Sequence, residues 1–225
     1  MIKFFGLIPR RPDISSQEFH DHYRHPHGTL GRMIPTFRAY IQSHQIESGL
    51  LGPDQRRFEA VAEVWFDTPA DAVGLADDPH YLKYVQPDEP NFVDMDNLKW
   101  LYVTEDVLVS GPDSASEPAE LGLQGFHLER ATTVKLMQFI DDDPAFARTP
   151  DEDRALSRSL GAVRHVRSLP HSEIHADQSP AYSAVQELWW PTISAFEESA
   201  SSETLAEFLS VPGSITLLAQ AERFT

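Results

Sequence analysis

The sequence predicts an α+β fold in which one β-α-β-β-α-β unit occurs twice in tandem. Three features of its 225 residues predict this. Short apolar runs recur in the same order in both halves, a capped helical pattern follows the first run of each half, and a polar stretch with two prolines separates the halves. We therefore expect two related domains of roughly 100 residues each.

The clearest repeats are two β-like runs. Lys3–Ile8 at the start of the chain resembles Lys135–Ile140, and Phe58–Phe66 resembles Tyr182–Trp190. Each pair predicts a strand at the same place in both halves.

Two further strands align less closely. When the last strands of the halves are superposed, Glu105 falls on Glu222. When the second strands are superposed, Val166 falls on Tyr40. The second half therefore lacks a tyrosine at this position.

Helices are predicted between these strands. Ser15 with Glu18 and Thr149 with Glu152 read as helix starts, and Pro26 interrupts the first helix. A later helix in each half spans roughly the segments 69–84 and 192–209. Each half thus has the ferredoxin-like plan, in which helices cover one face of a four-stranded antiparallel sheet. Two such sheets are expected to pack face to face within one chain.

The segment Ser110–Pro118 is small, polar and interrupted by proline, which is typical of a linker. We place the first domain at residues 1–111, the linker at 112–131 and the second domain at 132–225. We expect the first domain to carry the site and the second to be a degenerate copy.

Composition excludes several classes of function. The chain has no cysteine, which rules out disulfides and thiolate chemistry, and a net charge of −17 disfavours nucleic acid. No glycine-rich phosphate loop and no apolar run of membrane-spanning length occur. We expect a cytoplasmic protein with no nucleic-acid or membrane partner, and we leave open whether the chain forms a homodimer.

The first helix and second strand carry a family resemblance. An aromatic residue is followed at four-residue steps by a tyrosine and a histidine, then by a proline and a strand that ends Tyr-x-x-x-His. The residues at these positions are Phe19, Tyr23, His27, Pro35, Tyr40 and His44. The pattern resembles the EthD family, within the dimeric α+β barrel superfamily, and the segment Asp88–Asp94 resembles the family's acidic and aromatic segment. The resemblance covers most of residues 1–109.

The resemblance implies that the two sheets form an intramolecular dimeric α+β barrel, and it leaves a choice of functions. Relatives in the superfamily include polyketide cyclases, isomerases, cofactor-free monooxygenases and haem-handling enzymes, so the fold does not fix the reaction. Our leading hypothesis is a cofactor-independent lyase, isomerase or cyclase. It would act on a small hydrophobic carbonyl or aromatic compound by His-mediated proton transfer. The alternatives are a non-catalytic binding protein for a hydrophobic metabolite and a cofactor-free or haem-dependent monooxygenase.

His27 is the main catalytic candidate because it lies at the edge of the helix face that carries Phe19 and Tyr23. A neutral imidazole there can exchange a proton near neutral pH. In the alternative interpretation, His27 only hydrogen-bonds a loop carbonyl. Period-two alternation places Tyr40 and His44 on one strand face, which is either a site wall or a partly solvated barrel end. The predicted catalytic residues are His27, Tyr40 and His44, and the predicted substrate-binding residues are Tyr23, Arg38, His80 and Trp100.

Two other groups of residues have structural interpretations. Of the closely spaced histidines 20, 22, 25 and 27, only His22 and His25 have a spacing at which helical side chains converge, so we expect no metal site. Glu63 and Glu187 recur at one position of the repeat, which favours an ion pair at the join between the sheets over a catalytic acid.

Overall fold

A computed structural model describes residues 1–110, 132–141, 148–199 and 203–225. The predicted linker at 112–131 lies outside the described residues, so the domain boundaries stay predictions. The α+β fold class is confirmed.

The described residues form eight strands, joined by short helices. The strands are β1 (Ile2–Ile8), β2 (Ala39–Ile46), β3 (Ala60–Phe66), β4 (Lys99–Ser110), β5 (Thr132–Ile140), β6 (Arg164–Pro170), β7 (Ala184–Trp190) and β8 (Ser214–Arg223). The helices are α1 (Ser16–His22), α2 (Thr29–Gly31), α3 (Pro69–Val73), α4 (Pro150–Ser159), α5 (Ile193–Ser199) and α6 (Glu203–Leu209). Short π-helical segments lie at Tyr23–Gly28 and Tyr81–Val85. Short 3₁₀-helical segments lie at Pro53–Arg56, Gly74–Asp77 and Glu89–Asn91.

The strands close into an antiparallel barrel in the order β1-β3-β2-β8-β5-β7-β6-β4. The predicted barrel is therefore confirmed, and its two sheets are joined by strand pairing at both edges. Strand β2 pairs with β8 and β4 pairs with β6, because the exposed edges of each four-stranded sheet find partners in the other. The apolar barrel interior is one cluster shared by both halves, with Phe5, Leu101 and Val103 from the first and Met137, Phe139 and Leu217 from the second.

The ladder registers correct two of the predicted superpositions. Tyr40 pairs with Val64, and the equivalent pair in the second half is His165 with Leu188. His165, rather than Val166, is therefore the counterpart of Tyr40. Because side chains alternate between faces, the one-residue displacement puts Val166 on the opposite face of the sheet.

The last strands are displaced by one residue in the same way. Glu105 accepts a hydrogen bond from Trp65 inside the barrel, at 2.7 Å. Glu222 lies on the outer side, where the Arg24 guanidinium binds both of its carboxylate oxygens. Glu105 and Glu222 therefore occupy different faces and do not correspond.

The predicted helix starts are confirmed. Ser15 and Thr149 each form a capping box with the glutamate three residues later. The interruption near Pro26 is also confirmed, since His25 has non-helical backbone angles of φ −151° and ψ 122°. Within the described ranges, no helix has the length and apolar character needed to cross a lipid bilayer.

Candidate active site between sheet and helices

A cavity of about 550 Å³ lies between the outer face of strands β1–β4 and the helical segments that cover them. The sheet side of the cavity consists of Phe4, Gly6, Tyr40, Ala62, Trp100 and Tyr102. His27, Tyr81, Glu89 and Phe92 are on the helical side. A mostly apolar cavity with a few polar groups is the usual form of a small-molecule site.

Two small residues make room for the cavity. Gly6 lies directly opposite Ala62 in the ladder between β1 and β3. A Cβ atom at Gly6 would come within 3.0 Å of the Phe4 ring and 3.5 Å of the Ala62 Cβ. Because neither residue has a larger side chain, space for a ligand remains above this part of the sheet.

His27 is held by a carboxylate. Its Nδ1 donates to Asp88 Oδ2 at 3.1 Å, and the other Asp88 oxygen accepts from His22 Nε2 at 2.9 Å. Burial alone would raise the pKa of Asp88, but hydrogen bonds from His27, His22 and Asn91 lower it to about 2. The carboxylate fixes the proton of His27 on Nδ1, which leaves Nε2 as the basic nitrogen.

Tyr40 has its hydroxyl oriented by a neighbour. Gln42 Nε2 donates to Tyr40 Oη at 2.8 Å and also to the Tyr23 carbonyl oxygen at 2.7 Å. Burial raises the pKa of Tyr40 to about 12. Tyr40 therefore keeps its proton near neutral pH, and its O–H can donate to a ligand.

His44 and Tyr23 lie behind the cavity wall. The Tyr23 ring is fully buried against His44, and His44 Nδ1 lies 2.8 Å from His20 Nδ1. Burial, with Arg24 and His20, lowers the pKa of His44 to about 2, so this imidazole is neutral. The interpretation of this strand face as a solvated barrel end is wrong, because Tyr40 and His44 are each only 3% exposed.

Of the other predicted site residues, one lines the cavity and two lie outside it. Trp100 lines the cavity at its mouth and is 39% exposed. Arg38 is exposed, with its Nε 3.9 Å from Asp67, and His80 bonds the Leu30 carbonyl oxygen at 3.0 Å through Nε2. The structure thus brings His27, Tyr40 and Trp100 to the cavity, and places Tyr23, Arg38, His44 and His80 outside its wall.

Two functional candidates, Asp88 and Glu89, were not found from the sequence. Asp88 holds His27, and Glu89 lines the cavity together with Tyr81, whose O–H donates to Glu89 Oε1 at 3.0 Å. The acidic pair lies in the segment that resembles the family's acidic and aromatic stretch. That resemblance was the available signal, but it does not say which carboxylate meets the histidine.

The second half also contributes to this site. Ile174, in the connection between β6 and β7, lines the cavity. Next to it, His175 Nε2 accepts from the Tyr102 backbone N–H at 3.1 Å, and the His175 ring stacks on Trp100. No pattern in the sequence indicated this contact between the halves.

The barrel interior contains a closed ionic cluster. Lys3 Nζ lies 2.9 Å from Glu63 and 2.6 Å from Glu187, and Lys135 Nζ contacts the same two carboxylates. The predicted ion pair at the join is confirmed. Burial raises the pKa of Glu187, whereas Lys135 and Lys3 hold the pKa of Glu63 well below its usual range despite burial. All four side chains are inaccessible to solvent, so this cluster is structural.

A metal centre is not formed by the described part of the chain, in which no group of three histidine, cysteine or acidic side chains converges on a common point.

Comparison with known proteins agrees with the fold and with the first half of the chain. Residues 11–96 match the EthD domain family. No curated protein matches the chain. The crystal structure of an anthrone oxidase-like protein superposes with a TM-score of 0.62 at 8% identity, and the match covers 99% of this chain and 93% of that one.

Two further solved structures are similar. One is a candidate chlorite dismutase, with a TM-score of 0.52 at 11% identity over 98% of this chain and 94% of that one. The other is a candidate monooxygenase from Fusobacterium nucleatum, with a TM-score of 0.51 at 5% identity over 98% and 91%. At these identities the likeness is one of fold. None of the three structures bears a lyase, isomerase or cyclase name, so our leading hypothesis on the reaction gains no support. Residues 11–96 thus match the EthD domain, and the closed α+β barrel of this chain has the same fold as these solved structures.

Proposed function

We propose that the first-half cavity binds a small aromatic ketone or phenol and oxygenates it with molecular oxygen, without a bound cofactor. The observation that carries the proposal is the His27–Asp88 pair at the wall of a largely apolar cavity. The choice of oxygenation over isomerisation follows the names of two fold relatives, an anthrone oxidase-like protein and a candidate monooxygenase.

The chemistry of such a substrate suits the residues present. In an anthrone-like compound, a CH₂ group lies beside aromatic rings and a conjugated carbonyl, so its proton is acidic. His27 Nε2 takes this proton, and the anionic Asp88 stabilises the imidazolium that forms. The electron pair moves onto the carbonyl oxygen, where the Tyr40 O–H can donate a hydrogen bond.

The carbanion is itself the reductant. It gives electrons to dioxygen, one oxygen atom is retained as the new carbonyl, and the other leaves as water with the two hydrogens of the CH₂ group. The overall reaction R₂CH₂ + O₂ → R₂C=O + H₂O is balanced. Phe4, Trp100 and Tyr102 supply aromatic faces against which a planar substrate can stack.

The test compares two histidines that bind the same carboxylate. Oxygen uptake and quinone formation from anthrone are measured for wild type, His27→Gln and the matched control His22→Gln. His22 also donates to Asp88 but does not line the cavity. We expect His27→Gln to lose about 10²-fold or more in kcat/KM and His22→Gln to stay within about threefold of wild type.

Other outcomes would replace the proposal. Deuterium exchange into the substrate without oxygen uptake would favour an isomerase, and ligand binding without turnover would favour a binding protein. A Soret band in the purified protein would favour the haem-dependent alternative. Equal loss of activity in both histidine variants would remove His27 from the reaction.

We also propose that the halves are fused copies of one ferredoxin-like unit, with domains at residues 1–111 and 132–225. Support comes from the strand order, which is β4-β1-β3-β2 in the first half and β8-β5-β7-β6 in the second. The buried pairs Lys3 with Glu63 and Lys135 with Glu187 also recur at matching positions.

A further inference from the structure

Glu89 lies in the wall of the first-half cavity, and the reaction proposed above does not use it. Its side chain accepts from the Tyr81 O–H at 3.0 Å, and both residues line the cavity. Glu89 directly follows Asp88 in the sequence, and Asp88 is the carboxylate that holds His27. One dipeptide therefore serves both the imidazole and a second proton-bearing group on the same cavity.

The two neighbouring carboxyl groups have opposite surroundings. Asp88 receives hydrogen bonds from two imidazoles and the Asn91 amide, which favour its charged form. Glu89 has the Tyr81 hydroxyl as its hydrogen-bond donor and otherwise borders an apolar cavity. Adjacent acids in environments that separate their protonation states are the pattern of a site that uses one acid and one base.

We infer that Glu89 is a second catalytic group: its protonated carboxyl donates a hydrogen bond to the carbonyl oxygen of the substrate while His27 takes the carbon-bound proton. The inference rests on the proposed function, and it narrows the ligand class to enolisable aromatic ketones and their phenolic forms. The proton of Glu89 is shared with the enolate oxygen and stays on the protein, so the balanced reaction above is unchanged.

The charges around Glu89 agree with this role. Burial raises the pKa of Glu89 to about 7, the Tyr81 hydrogen bond opposes this shift, and the Asp88 charge adds to it. The other titratable groups on the same cavity are Tyr40 on β2, whose own pKa is raised in part by Glu89, Tyr102 on β4, whose pKa burial raises to about 12, and His27 on the Tyr23–Gly28 turn. Near neutral pH, Glu89 is thus partly protonated and can act as a donor.

The first test is a pH profile. With wild-type protein, kcat/KM should fall by about tenfold for each pH unit well above 7, because the ionised Glu89 no longer donates. Glutamine keeps a donor at every pH but donates a weaker hydrogen bond than a protonated carboxyl group, so Glu89→Gln should lower kcat/KM below pH 7 and remove the falling limb. The matched control, Glu173→Gln, neutralises an exposed acid next to the cavity residue Ile174 and should keep the limb. A falling limb that is unchanged in Glu89→Gln would overturn the inference.

A second variant separates a catalytic from a structural role. Tyr81→Phe removes the hydrogen bond that lowers the pKa of Glu89, so the falling limb should move to higher pH. A merely structural Glu89 would leave the position of the limb unchanged in this variant.

A binding measurement separates this inference from the proposed function. We would titrate a dihydroxyanthraquinone dye, whose colour reports phenol ionisation, into wild type, Glu89→Gln and His27→Gln. Its affinity should fall above pH 7 in wild type and His27→Gln, but not in Glu89→Gln. This result can hold even if oxygen uptake is absent, and an affinity with the same pH dependence in all three proteins would overturn the role of Glu89.

Discussion

The two halves of the barrel share their strand order but treat the outer face of the sheet differently. In the first half, Gly6 lies opposite Ala62, and a cavity opens above them. In the second half, the same ladder position pairs Gln138 with Gln186. The two small residues leave space for a cavity in the first half, whereas the two glutamines fill the corresponding space in the second half.

In the second half, the two glutamines make hydrogen bonds to neighbouring groups and lie beside a packed apolar cluster. Gln138 Nε2 donates to the Phe208 carbonyl oxygen at 3.0 Å, and Gln186 Oε1 lies 3.3 Å from His165. Above them, Trp190 and Phe196 form part of a packed apolar cluster. In this fold, the layer between the sheet and its helices can therefore hold either a cavity or a packed core, depending on the side-chain volume at a few positions.

The largest expected effect concerns the barrel interior, where the halves are alike. Lys3 and Lys135 each contact both buried glutamates, and Lys3 also contacts Glu105 at 3.2 Å, so Lys3→Met and Lys135→Met should each destabilise the protein by about 3–5 kcal/mol. Urea unfolding measures this cost. The control Arg56→Met breaks the exposed contact with Glu47 and should cost less than about 1 kcal/mol.

A decrease in the free energy of unfolding of less than about 1 kcal/mol for either lysine variant would show that this cluster does not stabilise the contact between the halves. The double variant Lys3→Met with Glu187→Met should recover part of the loss, because it removes a buried charge of each sign.

The next largest effect should come from filling the cavity. Ala62→Phe places a ring where the second half has Gln186, so we expect the affinity for a dihydroxyanthraquinone to fall by tenfold or more, about 1.4 kcal/mol. Calorimetry measures the affinity, and the unfolding midpoint should stay near that of wild type. Ala155→Phe, at an exposed position of α4, is the control. Unchanged affinity in Ala62→Phe would place the ligand elsewhere.

The repeat and the family segment were sufficient to predict the strands, the capped helix starts and the position of His27. They did not predict that the segment 69–84 forms only a short helix, Pro69–Val73, followed by helical turns. They did not predict the register, because an alignment with one residue of error looks equally good in an apolar strand but exchanges the faces. Val166 was matched to Tyr40 for this reason, whereas the ladder shows His165 there. Contacts such as Asp88 with His27 and Ile174 with the cavity join distant parts of the chain and leave no local pattern.

Each half contains a buried imidazole whose protonation should lower the free energy of unfolding in acid. Burial lowers the pKa of His44 to about 2 and also lowers the pKa of His165, compared with 6.5 for an unperturbed histidine. The unfolded chain therefore binds these protons more readily than the folded one. The free energy of unfolding is therefore highest above pH 6.5 and decreases as the pH falls below 6.5, and His44 contributes a loss of about 1.4 kcal/mol per pH unit.

The variant His44→Gln should make the loss of unfolding free energy between pH 6.5 and pH 4.5 shallower, as measured by urea unfolding at several pH values. His25→Gln changes an exposed histidine and should leave the slope as in wild type. Equal slopes in all three proteins would contradict a neutral, buried His44.

The smallest expected effect tests the contribution of the second half to the site. Ile174→Ala shortens a side chain that lines the cavity, so dye affinity should fall by about fivefold, ~1 kcal/mol for the apolar surface removed. Leu169→Ala, at a residue that is 50% exposed on the nearby strand β6, is the control and should bind as wild type does. If both variants bind equally well, the first half forms the site alone.

The difference between the halves is tested most directly by a crystal structure of the protein with a bound dihydroxyanthraquinone. We expect one ligand between the outer face of β1 and β3 and the Phe92 ring, with its oxygen atoms within hydrogen-bond distance of Tyr40 or Glu89 and its central ring beside His27. Ligand found under α5 and α6 in the second half, with the cavity beside His27 empty, would contradict it.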